Sequence, residues 1–365
     1  MLQTLTPERK ALLKYWAIGI SITYILIAVL VVYIVQGEKD IANRNHALRM
    51  SAEAVEPGKT PPDPLPNTDF KPVNVGIYLD GIENLSILES YWTPTFYIWF
   101  RWKGDKSLDP GKYFRLVDGK IEKQDLQDSY VSPDGTNYEL YKVVARISKF
   151  FNTTRVPLDD HMLNIYVEDS ANDVKRMRYI PDPSSGISSR VKIPGYNITS
   201  MSAVVKPHTY KTTYGDPRVA EGQRTTFSEY NYGVTIKRNS MGLFLKFFIG
   251  LYAGVILTIC SFYIHPSDTG SRFALPSASY FGVIANAYMT NSFLPSSGYF
   301  GLVDLVTSIG LFTISLCVIA SLVSVYYFLQ KDEKEFSRQL DRVSRRYIGF
   351  SFIAVNILLP FCAFY

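Results

Sequence analysis

Residues Arg272 to Asp304 read RFALPSASYFGVIANAYMTNSFLPSSGYFGLVD. Between Phe273 and Val303 there is no Asp, Glu, Lys, Arg or His, while Ser, Asn, Thr and Tyr return at helical steps. A run of this length crosses a bilayer as a helix. Its hydroxyls and amides need hydrogen-bond partners or water, so it cannot face lipid on every side. The stretch belongs inside a helix bundle. Two arrangements satisfy it there: part of its surface on a wet lumen, or its Ser and Asn bonded to neighbouring helices.

The rest of the chain is consistent with a membrane protein that also carries a globular part. Its 365 residues are 47% hydrophobic and 14% aromatic, and the mean hydropathy of +0.02 averages two unlike regions. The net charge of +5 comes without a Lys/Arg run, so no nucleic-acid partner is expected and the cations read as a loop-orientation signal. The three cysteines, Cys260, Cys317 and Cys362, all lie in apolar segments, which leaves no disulfide framework and no metal-ligand spacing. No metal and no cofactor is expected.

In chain order, Arg9, Lys10 and Lys14 precede AIGISITYILIAVLVVYIVQ, about twenty apolar residues that make a span starting in the cytoplasm. The polar sequence after Gln36 offers no clean cleavage site, so an uncleaved anchor is expected over a signal peptide. Residues 37–71 lack periodicity and include EPGKTPPDPLP, which reads as a semi-stiff linker. From Pro72 to Arg238 the pattern changes to short runs rich in β-branched and aromatic residues, among them VNVGIYLD, TFYIWFRWKG, YELYKVVARISKFF, MLNIYVED, SMSAVVKP and YNYGVTIKR. Many antiparallel strands without intervening helices predict a β-sandwich. Residues 239–365 then hold apolar segments around the opening stretch, a charged loop at 330–346 and a last span to Tyr365. That gives a topology of about five spans, with the first terminus and the charged loop inside and the sandwich and the last residue outside.

Enzyme classes find no support. There is no Gly-rich phosphate loop, no H-E-x-x-H and no G-x-S-x-G, and His46, His161, His208 and His265 are scattered.

Arg272, Leu294-Pro295, Tyr299 and Asp304, in that order and spacing, resemble the mouth, end and exit of the pore-lining helix of pentameric ligand-gated ion channels, the Cys-loop receptor family. The resemblance extends over about Pro72 to Tyr365: VNVGIYLD and FRWKG look like the first two strands of prokaryotic channel domains, and RVPLDDHMLNIYVED looks like the signature loop, with Pro157 and Asp159 on its Pro-x-Asp. The loop lacks its two bracketing cysteines, as prokaryotic members do, and the family usually has no helix before the sandwich. What the resemblance implies is an α+β membrane protein, with an extracellular or periplasmic β-sandwich at 72–238 and a four-helix transmembrane bundle at 239–365; the extra N-terminal transmembrane helix at 1–36, read from its own residues, lies outside the resemblance.

The family's lumen-facing stripe falls on Ala274, Ala278, Phe281, Ala285, Tyr288 and Ser292, with Arg272 at the inner mouth. The competing stripe is Ser279, Asn286 and Thr290. Cation-conducting relatives place a Glu before the mouth Arg and anion-conducting ones Pro-Ala; here Gly270 and Ser271 stand there, with Asp268 the nearest acid, and cations are the expectation. Coupling between domains falls to Glu89, Pro157, Asp159, Arg238, Leu294 and Pro295. The agonist pocket would draw on Tyr97, Trp99 and Arg101 from one subunit and Tyr210, Tyr214, Phe227 and Tyr230 from its neighbour. The expected assembly is a homopentamer in a cell (inner) membrane, in contact with lipids, passing inorganic ions and opened by an unknown small molecule or by protons. The alternative is a membrane-anchored periplasmic binding or scaffold protein that kept the fold and does not conduct.

Overall fold

A computed structural model describes residues 5–56, 58–62, 65, 69–212, 215, 217, 224–239, 241–295 and 300–364. The chain divides into two compact units, one of Met1–Asp40, Thr153–Asp159 and Asn239–Tyr365, the other of Ile41–Asn152 and Asp160–Arg238.

The second unit is a β-sandwich that also carries one short helix, α2(Pro110–Tyr113). Its first sheet has the order β4(Gly119–Val131)-β5(Thr136–Ser148)-β2(Tyr91–Lys103)-β1(Lys71–Ser86)-β7(Met177–Pro181), with β8(Gly186–Ile187) also paired to β1. The second runs β3(Phe114–Leu116)-β6(Asp160–Asp169)-β10(Thr226–Arg238)-β9(Tyr196–Thr209). Strand period sets what lies inside. On β2, Phe96, Ile98, Phe100 and Trp102 point into the core while Tyr97, Trp99 and Arg101 alternate outward. Leu163, Ile165 and Val167 of β6 and Tyr230, Tyr232, Val234 and Ile236 of β10 meet them from the other sheet.

β6 and β10 are buried on both faces over most of their length. The reason is the stretch read as a linker. The first helix, α1, runs Pro7–Met50, well past Gln36, because proline, which would end it, first recurs at position 57. Its last turns and the strap that follows lie on the outer face of β9 and β10: Lys206 Nζ donates to the carbonyls of Leu48 (2.6 Å) and Ala54 (3.0 Å), and Asn231 Nδ2 donates to that of Arg49 (3.1 Å).

The first unit is helical. Among the described residues three helices are long and apolar enough to cross a membrane: α1, the segment Met241–Tyr263 that begins with α3(Met241–Cys260), and α5(Leu302–Leu329). The helix α4(Thr269–Asn291), whose polar residues were noted at the outset, and α6(Lys334–Phe364) pack with them. A shared apolar core takes Tyr24 and Val31 from α1, Phe248 and Leu251 from α3, Val283 from α4, Val306 from α5 and Phe352 from α6. α1 is thus a member of the bundle, tied along its length by Arg9 to Glu333 (2.6 Å), Trp16 Nε1 to Ser344 Oγ (3.0 Å) and Tyr24 Oη to Thr313 Oγ1 (2.6 Å). Gly250 lets α3 and α4 approach closely: a Cβ there would lie 2.6 Å from Asn286 Oδ1.

Candidate functional site

α4 starts at Asp268, whose carboxylate accepts from the Ser271 N–H at 3.1 Å; hydrogen bonding from the Ser271 side chain, and then from this N–H, holds its carboxyl below the ordinary value. With about 100° of turn per residue, Arg272, Pro276, Ser279, Val283, Asn286 and Thr290 fall on one face, and all of them are buried. Asn286 Nδ2 donates to the Phe247 carbonyl at 2.8 Å, and Thr290 Oγ1 turns back to the Asn286 carbonyl at 3.1 Å. Ala274, Ala278, Phe281, Ala285, Tyr288 and Ser292 lie on the opposite face, and all are exposed on the single chain. Two large aromatic side chains on this face, Phe281 and Tyr288, are 71% and 77% exposed. Gly270 and Ser271 are exposed as well.

Arg272 does not share that face. It is fully buried, with Nη1 3.0 Å from both Asp341 Oδ2 and the Ile264 carbonyl, and Nη2 on Asp341 Oδ1. Read as a pore-lining residue from the sequence, it is a structural ion pair between α4 and α6. The sequence could not show this, because its partner lies 69 residues away.

The loop before β6 belongs with the helices. Val156 and Leu158 join the bundle core, the Val156–Pro157 peptide is cis, and the Leu302 N–H at the head of α5 donates to the Thr154 carbonyl at 2.7 Å. Thr154 Oγ1 reaches Glu38 Oε2 of α1 at 3.2 Å. Asp159 is buried in the same loop as Arg155, whose basicity burial lowers against the pull of Asp159 and Glu38. Leu294 packs at the edge of the bundle core, and Pro295 next to it is half-buried. In the sandwich unit Arg238 Nη2 donates to Tyr196 Oη and its guanidinium lies over that ring, 4.3 Å from the centroid. Glu89 is exposed in the β1–β2 turn.

The expected pocket residues fall into two clusters and a remainder. On the outward face of β2, Trp99 Nε1 donates to Asp182 Oδ2 at 2.8 Å, Arg101 pairs with the same oxygen, and Lys142 Nζ sits 5.3 Å from the Tyr97 ring centre. Burial works against the Asp182 charge, yet Trp99, Ser184 and Arg101 hold its carboxyl below the ordinary value. Sequence reading missed Asp182, which sits in an irregular stretch after β7. Tyr230 is not a pocket residue: it is fully buried, with its hydroxyl 3.0 Å from Ser185 Oγ, because β10's alternation turns it into the core. Tyr214 lies outside the described residues.

Tyr210 and Phe227 belong to the second cluster. Their rings meet edge to face at 5.8 Å, with the Arg115 guanidinium 5.4 and 5.3 Å from the two ring centres. Glu168 of β6 lies beneath: its Oε2 accepts from Tyr210 Oη (2.7 Å) and Arg115 Nη2 (3.2 Å), and its Oε1 meets His208 Nδ1 of β9. Glu229 of β10 gives Oε1 to Lys59 Nζ at 2.6 Å and holds Oε2 3.3 Å from the same His208 nitrogen. Burial pushes the Glu229 carboxyl up to about 7, against the nearby Lys59 charge, and Glu168 pushes it the same way. Burial disfavours the His208 cation, but the two carboxylates outweigh that and raise it. The strap closes over the cluster, with Glu56 Oε2 accepting from Tyr166 Oη at 3.0 Å.

No family model matches the chain. It is similar to a curated protein named proton-gated ion channel from Gloeobacter violaceus, 27% identical over 167 residues. The match covers 40% of this chain and spans 46% of that relative's length. This distant likeness, with the apolar helices and the sandwich, supports a membrane protein of ligand-gated channel type.

Proposed function

We propose that the chain is one subunit of a homopentameric channel of the ligand- or proton-gated kind, with the exposed face of α4 lining an axial pore. The observation that carries this reading is the two-sided character of α4. One face is packed into its own subunit and the other presents small residues with Phe281 and Tyr288 among them. Small side chains keep a pore wide, and rings of Phe281 and Tyr288 supply constrictions that stop ions by dewetting. In this reading α6 is the last span, the charged loop at 330–346 is cytoplasmic, and the sandwich and Tyr365 lie outside. Five copies of Asp268, exposed at the inner mouth, favour cations. The loop of Pro157 and Asp159, with Arg238, Glu89 and Leu294-Pro295, passes the signal from sandwich to pore. Agonist contacts fall to Tyr97, Trp99 and Arg101 on one subunit and Tyr210 and Phe227 on the next.

Purified protein in planar bilayers tests this reading directly. Stepping the pH on the sandwich side, as the relative's name prompts, is expected to open discrete cation-selective currents, and the detergent complex is expected to have the mass of five chains. A different oligomer, or no conductance under any trigger, would leave the non-conducting scaffold in its place.

A further inference from the structure

The acid–histidine cluster on the outer face of the second sheet is built in an unusual way. Each glutamate has one oxygen tied to a cation or hydroxyl at the periphery: Glu168 Oε2 to Arg115 and Tyr210, Glu229 Oε1 to Lys59. The remaining oxygens, Glu168 Oε1 and Glu229 Oε2, both meet His208 Nδ1, the second at 3.3 Å, and one ligand atom from each of the three residues lies within 4.8 Å of the other two. Glu229 is fully buried, and its inner oxygen accepts no hydrogen bond. A cavity of about 60 Å³ adjoins it, lined by Glu56, Lys59, Lys206 and His208 among others, and Glu56 Oε1 is a second buried oxygen there that accepts none. A fully buried carboxylate oxygen that accepts no hydrogen bond, grouped with an imidazole and a second carboxylate and with space beside it, calls for a cation.

We propose that Glu168, His208 and Glu229 form a divalent-metal site of the zinc class inside the sandwich. One imidazole nitrogen and two carboxylate oxygens are a borderline-soft ligand set that suits Zn²⁺, and two carboxylates neutralise its charge. Ligand bonds of about 2.0–2.2 Å need only short side-chain movements from the present separations. The ion takes the place of the His208 Nδ1 proton. A water in the adjoining cavity, large against the roughly 30 Å³ a water occupies, supplies the fourth position. Tyr210, Arg115 and Lys59 orient the two carboxylates through their outer oxygens. Because Lys59 is carried by the strap, the bound metal also fixes the strap to β10. The site does not depend on whether the protein conducts.

Equilibrium dialysis of the metal-stripped full-length protein in detergent against Zn²⁺, followed by metal analysis, tests the assignment. One zinc per chain is expected, with X-ray absorption showing nitrogen and oxygen ligands only. His208→Gln and Glu229→Gln are expected to abolish stoichiometric uptake. Tyr210→Phe, which keeps every ligand, is expected to weaken it about ten-fold. Replacing Cys260, Cys317 and Cys362 together by Ser is expected to change nothing. No stoichiometric uptake by the wild type would overturn the site and leave a cluster held by a proton alone. Sulfur in the coordination sphere, or undiminished uptake by a folded His208→Gln protein, would overturn it equally.

Discussion

The Leu302 backbone N–H donates to the Thr154 carbonyl across 2.7 Å, joining the head of α5 to the Pro157 loop. The residue before Leu302 is Gly301, and a Cβ there would stand 3.0 Å from the Thr154 oxygen and 3.3 Å from its Cα. Both are backbone atoms, which cannot swing aside. Gly301→Ala is therefore expected to push the loop back by a few tenths of an ångström and stretch the Leu302 bond. A loss of about 1 kcal/mol in unfolding free energy is expected, together with a shifted opening threshold. Thermal unfolding and agonist or pH titration of bilayer currents read the two effects. Wild-type behaviour in both would show that the contact transmits nothing.

Asp159 gives the second prediction. It is buried beside Arg155, and its negative charge offsets part of that guanidinium's burial cost. Asp159→Asn keeps the shape and removes the charge. The expected outcome is a protein that assembles normally, loses about 1–3 kcal/mol of stability, and opens at a displaced threshold. Oligomer mass and current titration separate the two parts of that statement.

Arg272 and Asp341 allow a sharper test, since neither has another full charge to turn to among the hydrogen bonds of the described residues. Removing one partner of a buried pair leaves an uncompensated charge, which costs about 3–5 kcal/mol. Asp341→Ala is expected to yield little folded protein. The double replacement Arg272→Met with Asp341→Leu is expected to recover most of it, because apolar side chains of similar size fill the same space without the desolvation cost. Expression and melting temperature of the three proteins decide. A benign Asp341→Ala would mean that Arg272 reaches water or another anion.

These cases also show where sequence was informative and where it was not. Each of the six strand segments quoted from the sequence lies on a strand, with only Gly104 running past β2 and residues 149–151 past β5, because alternation such as Phe96-Tyr97-Ile98-Trp99-Phe100 records burial residue by residue. The short strands β3, β7 and β8 and the exposed β4 carry too few inward residues to show it. The extension of α1 to Met50 is not legible because GEKDIANRNHALRM has no apolar stripe; its contacts are mostly polar ones, such as the backbone carbonyls that accept from Lys206 and Asn231 and the Glu38 carboxylate that accepts from Thr154. Glu168, His208 and Glu229 were invisible as a group. They are far apart in sequence, on three strands whose pairing brings them together.

Tyr24 tests whether α1 is a working part of the bundle. Thr313 Oγ1 donates to the Ile309 carbonyl at 2.7 Å, so the 2.6 Å contact with Tyr24 Oη has the tyrosine as donor. Tyr24→Phe removes the donor and preserves the ring packed on Phe312. A destabilisation of about 0.5–1.5 kcal/mol is expected. An unchanged melting temperature would indicate that α1 is an anchor only, not a load shared with α5.

The last prediction separates the two faces of α4. On the single chain Phe281 and Ala285 are exposed, whereas Ser279 and Asn286 are buried, the latter bonded to Phe247. A rotation of about 100°, one residue's turn, would bring part of the second set toward the first. In the open state of the proposed channel Phe281→Cys and Ala285→Cys are expected to react with a water-borne thiol reagent, and Ser279→Cys and Asn286→Cys are not. The native Cys260, Cys317 and Cys362 are first replaced by Ser so that only the introduced thiol is read. Phe281→Ala is expected to raise the resting conductance, since five small side chains no longer dewet the axis. A tightly closed Phe281→Ala channel together with a reactive Asn286→Cys would assign the lumen to the Ser279, Asn286 and Thr290 face instead.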